Sequence, residues 1–376
     1  MEYILKHKDA PVLRFRLLEN IATPVVHITW TTDKTQLLPL DLLPGDEGLG
    51  YWLRGRTIPK NRAFVNNFLS KCGLSINRPM DIISVSKGLS LNDVYWVVED
   101  AFEGTYQKYN LYENNFSNIL ALIAFTGYGS SLRSSLMSSP EFTTTGMLPK
   151  CWRRISGKIY LYKGGTSGAS NTGFEPQSEY YASQVAEAMG IHAVAYRLTR
   201  WKGMLCSACE LFTSRDYSYL PVGRLVRSGG MKAVLELYQA LGPEFVDALN
   251  EMLVFDAVIC NTDRHFGNFG VLVDNATNQI AGPAPLFDHG NSLFNLAGRE
   301  DLSSEAALDA YVATLLPQTY EDFAAEARRF MTDKNREQLR RLLTYRLKKS
   351  PRYNVPEDRY KLISGQIQKR AALLLR

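Results

Sequence analysis

Over residues 158–163 apolar and polar positions alternate, which places Ile159, Leu161 and Lys163 on one face of a short strand. The period then becomes that of a helix. Ala182, Val185, Ala186 and Met189 form an apolar stripe over 179–189, Ser178 stands where an N-cap would, and Gly190 supplies the stop. Further on, 231–240 reads as a helix, and Pro243 opens a second one with Phe245, Leu249, Met252, Leu253 and Ile259 at core spacing. An irregular hairpin is predicted over 271–286, and helices over 304–350 and 356–375. The first 128 residues are aromatic-rich, with a turn at Leu43-Pro44-Gly45-Asp46 and helices near 61–70 and 116–125. A serine-rich run (Ser130, Ser131, Ser134, Ser135, Ser138, Ser139, Pro140) marks a domain boundary. No internal repeat is visible. The pattern predicts an α+β protein with an N-terminal accessory domain (1–128), a strand-rich part (129–225) and a helical part (226–376).

Three charged residues lie on or beside these apolar faces. Lys163 ends its strand on the apolar side, and a buried ammonium requires an anionic partner or an edge open to water. Glu179 follows 16 residues later in the first turn of the next helix, where a Lys–Glu ion pair could turn the lysine toward nucleotide phosphates. Asp256 lies on the core face of its helix and is expected to hydrogen-bond the loop that follows.

Composition narrows the class. The 376 residues are 45% hydrophobic and 22% charged, which describes a folded chain large enough for two or three packed units. No apolar run approaches the ~20 residues that span a bilayer, and the N-terminus lacks a secretory segment, so the expected address is the cytoplasm and no membrane is expected. The five cysteines read as thiols, with the Cys206/Cys209 pair inside a buried strand. The net charge of +5 is spread along the chain, and direct nucleic-acid binding is not expected from it.

The chemistry concentrates in Asn261-Thr262-Asp263-Arg264-His265-Phe266-Gly267-Asn268, followed twenty residues after Asn268 by Asp288-His289-Gly290. Phosphoryl transfer requires a carboxylate to orient the attacking hydroxyl and oxygen ligands to hold magnesium against the phosphates. Asp263 with Asn268 five residues on fits one catalytic loop. Asp288, after the apolar Pro285-Leu286-Phe287, occupies the place of the metal-binding Asp of a D-F-G signature, with His for Phe. His265 is expected to brace the loop.

In these runs the sequence resembles the HipA-like serine/threonine kinases, bacterial proteins that include toxin kinases. The resemblance implies a two-lobed protein-kinase-like fold and ATP and Mg as cofactors. It makes Asp263 the catalytic base and Asn268 and Asp288 the metal ligands, with Lys163 on phosphate, oriented by Glu179. Cys209-Glu210-Leu211-Phe212 resembles the adenine segment, which implicates Glu210 and Phe212. The stretch 143–150, with Gly146 and Lys150, resembles the loop that covers the phosphates. Thr143 is the nearest equivalent of that loop's autophosphorylated serine, and Thr144 and Thr145 compete with it. The implied partners are a protein substrate with a Ser or Thr acceptor and an antitoxin protein. Residues 1–128 match no family domain. A pseudokinase or regulatory binding protein stays open as an alternative. So does a DNA-binding regulator, suggested by Arg54, Arg56, Lys60 and Arg62 and a pI near 8.8, though no helix-turn-helix register supports it. A metal-dependent hydrolase would leave the Lys163–Glu179 pair without purpose.

Overall fold

The computed structural model describes residues 1–132, 136–169 and 171–376; Ser134 and Ser135 of the serine-rich run lie outside the described residues. The chain divides into two compact units: Met1–Tyr162 with Leu211–Leu220 and Leu272–Ala281, and Lys163–Glu210 with Pro221–Val271 and Gly282–Arg376. No described helix is long and apolar enough to cross a membrane.

In the first unit β1 (Glu2–His7), β2 (Ala10–Glu19), β3 (Val25–Thr31) and β4 (Tyr95–Glu99) form an antiparallel sheet of order β3-β2-β1-β4. Tyr3, Leu5, Tyr95 and Val97 pack on one face and Ile4, Trp96 and Val98 on the other. Strands covered on both faces, as β1 and β4 are, carry near-continuous apolar runs, so the period of two is hidden there. Helices α1 (Gly45–Arg54), α2 (Val65–Cys72), α3 (Pro79–Ser86), α4 (Tyr106–Tyr109) and α5 (Asn118–Thr126) follow in this unit. The expected turn at 43–46 is the start of α1, with Pro44 at its N-cap. Strand β5 (Lys150–Ile155) and all of β6 (Lys158–Gly164) up to Tyr162 complete the N-terminal run.

The second unit holds α6 (Glu175–Met189), which begins one turn earlier than its apolar stripe suggests. Pro176, whose fixed φ suits a first turn, opens it. Ser178 is therefore inside the helix, donating its N–H to the Phe174 carbonyl, and is not the N-cap. β7 (Tyr196–Trp201) pairs antiparallel with β8 (Met204–Glu210), in which Cys206 and Cys209 are buried; burial pushes both thiols up to about 12. A further strand, β9 (Tyr217–Pro221), lies beside the hairpin of β10 (Gly270–Asp274) and β11 (Gln279–Pro283) that was expected between 271 and 286, and most of these three strands belongs to the first unit. Between them come α7 (Val222–Leu225), α8 (Gly230–Leu241) and α9 (Pro243–Ile259), and α9 is buried on every side from Leu249 onward. The helices expected over 304–350 are α10 (Glu305–Val312), α11 (Phe323–Arg329) and α12 (Asp333–Leu342). Each starts at a side chain that caps it, Ser304, Asp322 and Thr332, while Pro317 prevents the first from continuing. α13 (Glu357–Leu375) closes the chain.

Candidate active site

Lys163 has the anionic partners that its position demands. It is 6% exposed, and its Nζ lies 2.5 Å from Glu179 Oε1 and forms a second ion pair with Asp288 Oδ1. Burial alone would lower the ammonium's pKa, but Asp288 and Glu179 more than offset it and hold the group charged, above its usual range. Burial pushes the Glu179 carboxyl up, against the pull of Lys163. Glu179 is completely buried, and its other oxygen accepts the Ser207 hydroxyl from β8. Removing that donor as Ser207→Ala should cost about 1–3 kcal/mol, because a buried carboxylate loses a partner and no water replaces it; denaturant unfolding measures the loss.

Asp288 stands in the left-handed region, φ 58°, a conformation that Asp tolerates better than most residues. Its N–H donates to the Tyr196 hydroxyl at 3.1 Å. The preceding Leu286 exchanges backbone bonds with 192–194: Leu286 N–H donates to the His192 carbonyl (3.0 Å) and Val194 N–H to the Leu286 carbonyl (2.8 Å). A parallel bridge thus delivers the carboxylate to Lys163.

The loop after α9 is organised by one guanidinium. Arg264 is wholly buried and forms a two-pronged pair with Asp256, Nε to Oδ2 at 2.8 Å and Nη2 to Oδ1 at 3.0 Å. Its Nη1 donates to the carbonyls of Asn268 (3.0 Å) and Phe287 (2.7 Å), and Nη2 approaches His289 Nδ1 at 3.1 Å. One side chain therefore ties the end of the Asp263 loop to the residue before Asp288. His289 is buried against Phe255 and Tyr196; burial and then Arg264 hold it neutral. Asp256 has the structural role expected of it, also accepting from Asn261. His265 is exposed, and its Nδ1 accepts the Gly267 N–H at 2.9 Å, which braces the loop.

Within the loop Asn268 is buried and donates Nδ2 to the Asp263 carbonyl at 3.0 Å, which commits its amide nitrogen and leaves the carboxamide oxygen for an acceptor's role. The Asp263 carboxylate accepts from Asn291 Nδ2 at 3.0 Å. Asn268 and Asp288 offer oxygen donors, the chemistry of a hard cation such as magnesium, which binds through one or two protein ligands and completes its shell with water and phosphate.

In the first unit Thr143 is buried and donates its hydroxyl to the Leu89 carbonyl at 2.8 Å. Thr144 donates to the Pro140 carbonyl and accepts from the Trp152 indole, whereas Thr145 is exposed. Gly146 has φ +88°, and the Lys150 ammonium fills the space where its side chain would be. Phe212 meets Tyr219 edge-on at 5.5 Å. In the second unit Glu210 ends β8, exposed. Arg264, Ser207 and Asn291 escaped the sequence reading. For Arg264 a signal existed, since a core-facing Asp256 requires a cation in the loop that follows.

No family model matches the chain, and no curated protein matches it. Among solved structures, a chain of the Shewanella oneidensis MR-1 toxin–antitoxin complex of HipA, HipB and operator DNA is similar over 98% of this chain and 96% of that one, with TM-score 0.57 and 13% identity. The Helicobacter pylori proinflammatory kinase CtkA is similar over 60% of this chain and 88% of its own, with TM-score 0.46 and 18% identity. The HipA likeness extends over nearly the whole of both chains, and the α+β architecture of this protein is the HipA-like kinase fold.

Proposed function

We propose that the chain is an ATP- and magnesium-dependent serine/threonine protein kinase of HipA-like type. The observation that carries this reading is the buried Lys163, held charged between Glu179 and Asp288 and linked through Arg264 to the loop of Asp263. Lys163 contacts the α- and β-phosphates, and Glu179 orients it. Asn268 and Asp288 hold the metal. Bound magnesium supplies neutralisation of the charge on the transferred phosphoryl group. Asp263 accepts the proton of a Ser or Thr hydroxyl as its oxygen attacks the γ-phosphorus and the bond to the β-phosphate oxygen breaks. Glu210, in the same unit as Lys163, belongs to the same reading as a nucleotide contact. Residues 1–128 serve as an accessory domain to lobes 129–225 and 226–376. HipA is solved with HipB and operator DNA, which supports a toxin role with an antitoxin partner here.

Labelled γ-phosphate from ATP with magnesium tests the reading. Wild type should label itself or proteins of a cell extract, and Asp288→Ala should not. Self-labelling should map to Thr145, because the Thr143 hydroxyl is buried and bonded. ATP binding by wild type without any transfer would replace this reading with the pseudokinase one.

A further inference from the structure

The Asp263 carboxylate is aimed from outside its own loop. Asn291, three residues beyond Asp288, donates Nδ2 to Asp263 Oδ2 at 3.0 Å. Asn291 is itself fixed from both ends. Its backbone carbonyl accepts the Thr262 N–H at 3.0 Å and the Thr262 hydroxyl at 3.3 Å. Its side-chain oxygen accepts Asn295 Nδ2 at 3.1 Å, which assigns the amide orientation and points the Asn291 N–H at Asp263. Asn295 is 5% exposed, so this orienting bond is sheltered from water.

The backbone that carries the two asparagines is held against its own preference. Leu293 and Phe294 both have positive φ, 51° and 61°, which bulky side chains adopt only where the surroundings impose it. Those surroundings are present. Leu293 N–H donates to the Ile259 carbonyl at 2.7 Å, and the buried Arg359 of α13 donates to the Phe294 and Ala297 carbonyls while stacking on the Phe174 ring. The segment is therefore ordered by this chain's own guanidinium.

We propose that Asn291 is a positioning residue that aims the Asp263 carboxylate at the acceptor hydroxyl, with Asn295 fixing the Asn291 amide. This rests on the kinase reading, in which Asp263 is the base. A misplacement of about 1 Å can cost on the order of 100-fold in rate, so one hydrogen bond of this kind is consequential.

The test is a double-mutant cycle on the full chain, following γ-phosphate transfer and ATP affinity. Asn291→Ala keeps the backbone bonds to Thr262 and removes only the side-chain donor; it should lower kcat about tenfold with the KM for ATP unchanged. Asn291→Asp is isosteric but sets a carboxylate against Asp263, and it should lose more than the alanine variant. In an Asp263→Asn background Asn291→Ala should produce no further loss, because the group it aims is gone. Equal losses in both backgrounds, or a raised KM with unchanged kcat, would overturn the proposal while leaving the kinase reading in place. Absence of transfer by wild type would overturn both.

Discussion

Asp263→Asn should abolish most phosphoryl transfer while ATP binding and folding stay close to wild type. The carboxylate makes none of the contacts that hold Lys163, Glu179 and Asp288 together, and its own backbone N–H donates to Asn261 Oδ1, a bond the substitution retains. What disappears is an oxygen able to take the hydroxyl proton. General-base catalysis contributes ~10²–10⁴-fold, and a loss in that range is expected in kcat, read from steady-state transfer of labelled phosphate. ATP affinity by calorimetry and the unfolding midpoint serve as controls. Wild-type turnover in this variant would show that Asp263 is not the base.

A second large effect is expected at Arg264, and it should divide stability from activity. Arg264→Met strands Asp256, a fully buried carboxylate, and breaking a buried pair from one side costs about 3–5 kcal/mol. Adding Asp256→Leu removes the stranded charge and should recover much of that stability, since a well-packed apolar pair often matches a buried ion pair. Transfer should not recover. The guanidinium also holds the carbonyls of Asn268 and Phe287, and no apolar residue can join the Asp263 loop to Asp288 in that way. Denaturant unfolding beside kcat measures both halves, and parallel recovery of the two would refute this role.

The sequence reading and the structure part company for identifiable reasons. The apolar stripe located α6, but not its first turn, because Glu175 and Pro176 carry no stripe residues and Ser178 looks like a cap. Strands β1 and β4 of the N-terminal sheet were invisible because both of their faces are buried, which erases alternation. Helices after 304 were expected without their individual bounds, because their capping residues Ser304, Asp322 and Thr332 are small polar side chains that also occur on exposed helix faces.

Local patterning by itself pointed to the α+β class, to the strand that carries Lys163, and to Lys163, Glu179, Asp263, Asn268 and Asp288 as candidate site residues in that order, since short-range periodicity and loop spacing are properties of neighbours in the chain. Tertiary structure alone decided that one ammonium answers two carboxylates, Glu179 and also Asp288, which lies 125 residues beyond Lys163 in the chain. It also decided that Ser207 closes the Glu179 pair, that Arg264 joins the two halves of the site, and that Thr143 is buried while Thr145 is open. Buried charges must find partners wherever the fold provides them, and that requirement places no constraint on distance along the chain.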